Sequence, residues 1–284
     1  MCLMAYFLSK ILLLPISFYT FASVIYIQQE MFNFLFRKRE LYPLPYRREI
    51  HCHLIPGVDD GSQRMEFSLS ALNSFQKFGV ERVIFTPHHT EPRFMNTPEI
   101  VQPLFEELKA QVAERKIEVE CEDYSFEYRA DNSFREMAST GKWGEPQCKI
   151  RPLKGRYILI ENSWRESVPH MEETIEKLQS DGYNVILAHP ERYLYYAGMH
   201  GRHYHHLQEM GVEFQCNILS FEGYYGDVEK KMAFWMLNHG YVNFLGSDLH
   251  NAKHITLIEK FLRSKEYAAI YEELVDSISN DQLG

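Results

Sequence analysis

The chain has 284 residues, of which 45% are hydrophobic and 24% are charged, and no Pro/Gly-rich or repetitive tract interrupts it. This composition is typical of a folded globular protein and argues against a disordered chain, and the length suits a single α/β barrel. The formal net charge of −9, with basic clusters at 37–39 and 47–48, argues against a nucleic-acid-binding protein, and five scattered cysteines without a C-x-x-C pair favour a reduced, cytoplasmic chain.

Near the N-terminus, residues 11–27 form an uncharged, mostly apolar run preceded by Lys10. The run is at the short end of what can span a bilayer, Pro15 weakens a helix there, and no small-residue cleavage signal follows. Basic residues after the run would keep the rest of the chain in the cytoplasm, at the inner face of the membrane, if it inserted. Alternatively, translation starts at Met31, and both interpretations stay open.

We therefore predict an N-terminal extension at 1–47, with any membrane contact confined to residues 1–30, and one main domain at 48–284. In this domain, short apolar runs alternate with longer helical patterns, which is typical of strand-helix units around a parallel sheet. The predicted strands are 49–54, 82–86, 117–121, 157–161, 184–188, 213–217 and 242–246. The predicted helices are 65–78, 98–113, 168–179, 203–210, 228–238, 253–265 and 266–279. Seven such repeats predict an α/β fold built as one closed or nearly closed, TIM-like (β/α)₇ barrel.

Histidines and acidic residues collect after the predicted strands, at the end where α/β barrels keep their active sites. In His51-x-His53, strand alternation sends both imidazoles to one face, and Asp248-x-His250 repeats this spacing with an acid and an imidazole. A single histidine would be weak evidence, but six strand ends each supply such a residue. The candidate metal ligands are His51, His53, Asp60, His88, Glu127, Glu161, His189, Asp248 and His250.

Five imidazoles and four carboxylates are too many for one ion and fit three divalent ions better. The four carboxylates carry −4, so three divalent cations would leave a net charge of about +2, which suits a phosphate dianion. Nitrogen and oxygen ligands without a thiolate favour Mn²⁺, Fe²⁺ or Zn²⁺, and the share of carboxylates tilts the choice toward Mn²⁺.

These motifs, in this order, resemble the PHP (polymerase and histidinol phosphatase) superfamily. Within it, the segments 51–62, 214–220 and 223–226 are most similar to the bacterial PHP-type protein-tyrosine phosphatases of capsular and exopolysaccharide operons. The resemblance covers about residues 48–280. It implies the PHP fold, a (β/α)₇ barrel with three metal ions, and hydrolysis of phosphotyrosine, with a tyrosine autokinase that controls polysaccharide synthesis as the usual substrate.

The resemblance also implies how the ligands are shared among the three ions. One ion would take His51, His53, Glu127 and Asp248, a second would take Asp60, His88 and His250, and the third would take Glu127, Glu161 and His189. Arg192, three residues after His189, resembles the phosphate-binding arginine of the family. A water bridging two ions would attack phosphorus in line, without a covalent enzyme intermediate.

Some assignments stay open at this point. Asp59 could replace Asp60 as the ligand, since adjacent residues on a turn are hard to separate by sequence. Other family members carry a second basic residue after Asp-x-His, and Lys253 is the nearest candidate here, although the departure leaves that role in doubt. His89 and the histidines at 200–206 are interpreted as structural or surface residues.

Three other functions compete with a metal-dependent tyrosine phosphatase. A cysteine-based phosphatase is excluded because no cysteine has an arginine six residues later, as the Cys-x₅-Arg loop requires. A histidinol-phosphate phosphatase-like enzyme would share the metal chemistry. A non-catalytic metal-binding scaffold would not need a complete ligand set.

Overall fold

The computed structural model of the protein describes residues 40–140, 150–163, 165–197 and 201–284. The apolar run at 11–27 lies outside these residues, and so does the alternative start at Met31. Within the described ranges, no helix is long and apolar enough to cross a membrane. Residues from Leu41 to Gly284 form one compact unit, in which Leu44 and Tyr46 are buried, so the chain already packs against the main domain before residue 48.

Parallel strands form the centre of this unit. In the described ranges they are β1 (Arg48–Glu49), β2 (Arg82–Phe85), β3 (His88–His89), β4 (Glu120–Tyr124), β5 (Glu127–Arg129), β6 (Tyr157–Glu161), β7 (Asn184–Ala188), β8 (Val212–Asn217) and β9 (Phe244–Gly246). They pair in the orders β1-β2-β4 and β3-β5-β6-β7-β8-β9. The strand predicted at 82–86 ends at Phe85 and its run resumes past Pro87 as β3, and the strand predicted at 117–121 begins only at Glu120 and its run continues past Phe126 as β5, so the described strands follow seven runs around the barrel. The strand predicted at 49–54 is a regular strand only at Arg48–Glu49.

The first and last strand runs close the barrel. Cys52 forms an isolated parallel bridge with Leu249, and the amide of His53 donates to the Leu249 carbonyl at 3.1 Å. The amide of Asp248 donates to the His51 carbonyl at 2.9 Å. The sequence prediction of a TIM-like (β/α)₇ barrel is confirmed, and the closure brings residues 51–53 beside residues 248–250 although almost 200 residues separate them.

Helices cover the outside of the strands. They are α1 (Met65–Lys77), α2 (Pro98–Glu114), α3 (Asn132–Thr140), α4 (Met171–Ser180), α5 (Leu194–Ala197), α6 (Arg202–Glu209), α7 (Ile218–Glu222), α8 (Asp227–Asn238), α9 (Ala252–Leu262) and α10 (Lys265–Ser277). Helix α1 shows why they pack there, since Leu69, Leu72 and Phe75 recur at helical spacing and are all buried. The short helices α3, α5 and α7 were not predicted from the sequence.

The end of the barrel where the strands begin is filled by apolar side chains and sealed by the C-terminus. Ile50, Ile84, Leu159, Ile186, Phe244 and Leu283 belong to one buried cluster. The Asp281 carboxylate accepts hydrogen bonds from the amides of Arg47 and Arg48 at 3.0 and 2.8 Å, and Asn280 bonds the backbone of Leu245. The polar side chains are therefore concentrated at the other end, where the strands finish.

Candidate metal centre

Strand ends and the loops after them bring the nine predicted ligands together at one end of the barrel. His88, Glu127 and Glu161 lie on β3, β5 and β6, and the remaining residues lie in loops that follow strands. His51, His53, Glu127 and Glu161 are fully buried. The burial of so many ionisable groups in one place is costly unless they bind a cation or one another.

The first group of possible ligands comes from the barrel closure. His51 Nε2 and His53 Nε2 are 3.3 Å apart, and Asp248 Oδ1 lies 3.6 and 3.4 Å from them. Glu127 Oε1 lies 3.3 Å from His51 Nε2. These are the four side chains that the family resemblance assigns to one ion.

The two histidines of this group are oriented from behind. His51 Nδ1 lies 2.6 Å from Gln215 Oε1, and His53 Nδ1 lies 2.8 Å from Asp59 Oδ2. Partners of this kind fix the ring and leave Nε2 for the metal.

The second group distinguishes the two adjacent aspartates. Asp60 Oδ1 lies 3.4 Å from His88 Nε2 and 3.6 Å from His250 Nε2, and 43% of its side chain is exposed. Asp59 is instead buried, and besides His53 it accepts from the amides of Gly61 and His88, both at 3.0 Å. Asp59 thus supports the centre from behind, and Asp60 is the aspartate that faces the histidines.

Glu127 lies at the middle of the third group. Its Oε1 is 2.8 Å from His189 Nε2, and its Oε2 is 2.8 Å from His88 Nδ1. Glu161 is more distant from the histidines, at 3.9 Å from His189 Nε2 and 3.6 Å from His88 Nδ1. A carboxylate in contact with several histidines suits the predicted role of Glu127 as a bridge between ions.

The donor set fits divalent cations. Within the described ranges, the buried Glu161 Oε2 has no hydrogen-bond partner, and Glu127 Oε2 and His88 Nδ1 contact each other at 2.8 Å without the geometry of a hydrogen bond. Four sets of three side chains here have ligand atoms within 4.8 Å of one another, and Glu127 belongs to two of these sets. Cations held among these atoms would supply the missing partners.

The electrostatics point the same way. Burial lowers the pKa of His51, but the charge and hydrogen bond of Glu127, together with Asp248 and Gln215, outweigh burial and raise that pKa to about 9. Burial likewise disfavours the charged form of His88, but Glu127 and Glu161 favour that form, and the pKa of His88 rises to about 10. Burial and the charge of Glu127 raise the pKa of Glu161 to about 7. The carboxylates thus form a negative site that attracts positive charge, either protons or metal ions.

Two of the predicted ligands have an unusual backbone conformation. His189 has φ 36° and ψ 51°, and Asp248 has φ 47°, which is the left-handed region that favours glycine. The amide of His189 donates to the Gln215 carbonyl at 2.7 Å and holds this conformation. Such strain costs on the order of 1–3 kcal/mol per residue and is typical of functional sites.

A cavity of about 730 Å³ opens onto the centre, and three arginines line it: Arg93, Arg129 and Arg192. Arg192 donates from Nη1 to Asp248 Oδ2 at 2.9 Å and lies over the Tyr225 ring at 3.9 Å. Arg129 donates from Nε to Glu161 Oε1 at 3.0 Å. The sequence analysis missed Arg129, although Glu127-x-Arg129 is the same strand alternation that identified His51 and His53.

The sequence analysis did not assign supporting contacts to three further residues, Gln215, Asn217 and Tyr225. Asp248 Oδ2 accepts from Asn217 Nδ2 at 2.8 Å and from the Tyr225 hydroxyl at 3.3 Å. Gln215 and Asn217 alternate along β8, so the period of two could have identified them. Lys253 also lines the cavity.

The histidines interpreted as structural lie away from the centre. His89 Nδ1 lies 2.7 Å from the Asn96 carbonyl oxygen. His205 and His206 are exposed and lie near Glu209 and Glu172, at 3.5 and 3.3 Å. His200 lies outside the described residues.

Comparisons with known proteins agree with this geometry. The family model for capsular polysaccharide synthesis proteins CpsB/CapC matches residues 48–257. Tyrosine-protein phosphatase YwqE of Bacillus subtilis is 27% identical over 211 residues, which are 72% of this chain and 78% of that protein. The putative tyrosine-protein phosphatase CapC of Staphylococcus aureus is 26% identical over 245 residues, which are 83% of this chain and 89% of that protein.

Solved structures show the same fold. The crystal structures of YwqE from Bacillus subtilis and CpsB from Streptococcus pneumoniae, described as unique metal-dependent tyrosine phosphatases, include a chain that superimposes with a TM-score of 0.65 at 24% identity. The match covers 82% of this chain and 95% of that one. Since the family model spans most of the sequence and contains the metal centre, this chain belongs to the CpsB/CapC family of capsular polysaccharide synthesis proteins.

Proposed function

We propose that this chain is a metal-dependent protein-tyrosine phosphatase that acts on a bacterial tyrosine autokinase controlling capsule or exopolysaccharide synthesis. The observation that carries the proposal is the clustering of nine predicted metal ligands, six of which line a cavity that also holds Arg192, in a family whose relatives are named tyrosine-protein phosphatases. The enzyme works in the cytoplasm, and any contact with the inner face of the membrane involves residues 1–30. The phosphatase domain comprises residues 48–284, after an extension at 1–47.

Three divalent ions, with Mn²⁺ preferred over Fe²⁺ or Zn²⁺, would occupy the three ligand groups. When bound, such ions lower the pKa of a water and neutralise charge on phosphoryl oxygens. The protein holds the ligands: Glu127 faces two groups at once, and Gln215 and Asp59 orient His51 and His53. Arg192 is fixed by Asp248 beside the cavity, where its guanidinium can orient a phosphate.

The cysteines support a mechanism without a thiolate nucleophile. Cys52, Cys121 and Cys216 are buried, and none of them lines the cavity. Burial raises the pKa of the Cys121 thiol to about 12 and raises the pKa of the other two thiols well above the ordinary value. These thiols therefore stay protonated and unreactive at neutral pH.

The test is phosphate release by the full chain with Mn²⁺ from a phosphotyrosine peptide, a phosphoserine peptide and histidinol phosphate. We expect selective turnover of phosphotyrosine that a chelator abolishes and that His189→Ala reduces at least about a hundredfold. His205→Ala is the matched control, because this histidine is exposed and outside the cavity. A preference for histidinol phosphate would keep the metal centre but refute the substrate, and no turnover would favour a non-catalytic scaffold.

A further inference from the structure

Two pairs of a cation and an aromatic ring line the cavity outside the predicted metal ligands. Arg93 lies over the Phe94 ring at 4.8 Å, and Lys253 lies over the Tyr224 ring at 4.8 Å. We call these four residues the rim. Phe94 stacks on His88 with an interplanar angle of 12°, and Tyr224 meets His254 edge-on at 4.9 Å. The rim therefore borders the predicted metal centre and is built from three separate segments: the loop with Arg93 and Phe94, the loop with Tyr224, and the start of α9.

The loop that carries Arg93 and Phe94 is held in place before any substrate binds. Thr90 and Phe94 exchange two backbone hydrogen bonds, at 2.9 and 2.8 Å. Asn96 then ties the loop to the domain, since its Nδ2 donates to the carbonyls of His88 and Val58 at 2.8 and 2.9 Å. An ordered wall costs little entropy when a ligand packs on it.

The rim cations differ from the two arginines deeper in the cavity. Arg129 and Arg192 are each tied to a carboxylate of the centre, at 3.0 and 2.9 Å. The Arg93 side chain is 70% exposed, and its Nη2 lies 3.7 Å from Asp60 Oδ2, while Asp60 Oδ1 faces His88. Lys253 is exposed at the start of α9. Exposed positive charge at the cavity of a chain with net charge −9 is a local feature that favours an anionic partner.

Resting on the proposed function, we propose that the rim binds an acidic peptide. Arg93 and Lys253 pair with glutamate or aspartate side chains that lie within a few residues of the phosphotyrosine. Phe94 and Tyr224 pack against the aromatic ring of the phosphotyrosine and against the peptide. Aromatic rings offer flat apolar area to a phenyl ring, and stacked cations keep their charge available to carboxylates. One extended residue spans about 3.3–3.6 Å, so side chains one to three positions away reach the rim of a cavity that holds the phosphate.

The experiment measures kcat/KM of the full chain with Mn²⁺ on three peptides of equal length, in which phosphotyrosine is flanked by Glu, Gln or Lys. We expect kcat/KM to decrease from the Glu peptide to the Gln peptide to the Lys peptide, with each rim contact contributing a factor of about two to five. The preference for the Glu peptide should shrink as salt is added. Arg93→Gln should reduce the ratio of kcat/KM on the Glu peptide to kcat/KM on the Gln peptide by that factor, mainly through KM. Lys253→Gln should act in the same way.

Arg115→Gln is the matched control, because it removes the same charge from an exposed position at the end of α2, outside the cavity. If Arg115→Gln reduced the ratio of kcat/KM on the Glu and Gln peptides as much as Arg93→Gln does, the preference would come from long-range charge, and the proposed rim contact would be overturned. Equal kcat/KM on the three peptides would overturn the inference while leaving the phosphatase intact. No turnover of any of them, nor of para-nitrophenyl phosphate, would instead refute the proposed function. If Lys253→Gln raised KM for para-nitrophenyl phosphate as much as for the Glu peptide, Lys253 would contact the phosphate and its place in the rim would be refuted.

Discussion

Glu49 is a buried carboxylate that fastens the barrel where its first and last strand runs meet. Its Oε1 accepts from the amides of Ile50 and His51 at 3.0 and 2.9 Å, and its Oε2 accepts from the Tyr46 hydroxyl at 2.8 Å. The amide of Ser247, on the other run, lies 3.2 Å from Oε2. We predict that Glu49→Ala destabilises the domain and weakens metal binding together, because it releases the backbone on both sides of His51 and Asp248.

The expected loss of stability in Glu49→Ala follows from the hydrogen-bond donors that are left without an acceptor. Glu49→Ala leaves three backbone amides and the Tyr46 hydroxyl in a fully buried position. Each unsatisfied buried group costs about 1–3 kcal/mol, so the loss in the free energy of unfolding is expected to be at least about 3 kcal/mol. Burial raises the pKa of Glu49, so the charge itself is expensive there. Glu49→Gln removes that charge and keeps one acceptor oxygen, and it should cost less than Glu49→Ala.

The assay is urea unfolding of the metal-free chain, followed by circular dichroism, with Mn²⁺ titrated calorimetrically in parallel. Glu107→Ala is the control, because this glutamate is exposed on α2 and its removal should change stability by less than about 0.5 kcal/mol. The reasoning is refuted if Glu49→Ala stays within that same range, or if it loses stability but binds Mn²⁺ with unchanged affinity.

Two further predictions concern the metal centre. Asp60→Asn should weaken Mn²⁺ binding with little change in stability. Asp59→Asn should instead lower the free energy of unfolding by about 1.5–3 kcal/mol, because Asp59 holds His53 and two amides. Identical results for the two variants in calorimetry and in unfolding would contradict their separate roles. The pKa of His51 is raised to about 9, so its contribution to the stability of the metal-free chain is complete below pH 6.5 and is lost as the pH rises through 9. Unfolding of the metal-free chain should therefore need less urea at pH 9 than at pH 6.5, while Mn²⁺ affinity should rise over the same range as protons leave, and an increase in metal-free stability toward pH 9 would contradict this.

The alternation of side chains along strands explains how much of the site was predictable. His51-x-His53 and Asp248-x-His250 are local patterns, and placing them at the strand ends required only the barrel topology. Ligation itself stays a prediction. Asp59 and Asp60 could not be separated by sequence, because their difference lies in contacts with His53 and His88 from other parts of the chain.

The remaining features depend on tertiary contacts. The strand run after Arg82 is interrupted at Pro87 because proline lacks an amide for the ladder. Helix α3 has a short apolar pattern, in which Phe134 and Ala138 are the buried residues, and a pattern of that length is easily overlooked. The position of Arg93 and Phe94 over the cavity depends on Asn96, whose hydrogen bonds to Val58 and His88 no periodicity reveals.

The closure of the barrel between residues 51–53 and 248–250 also has a consequence for biosynthesis. During translation, the ribosome delivers His51 and His53 early, but Asp248 and His250 follow only when most of the chain has been made. An N-terminal portion of the nascent chain therefore lacks half of the ligands that the closure brings together, and long-range strand pairing of this kind forms slowly. The complete set of predicted ligands is therefore available to a metal ion only after the chain has been made beyond residue 250.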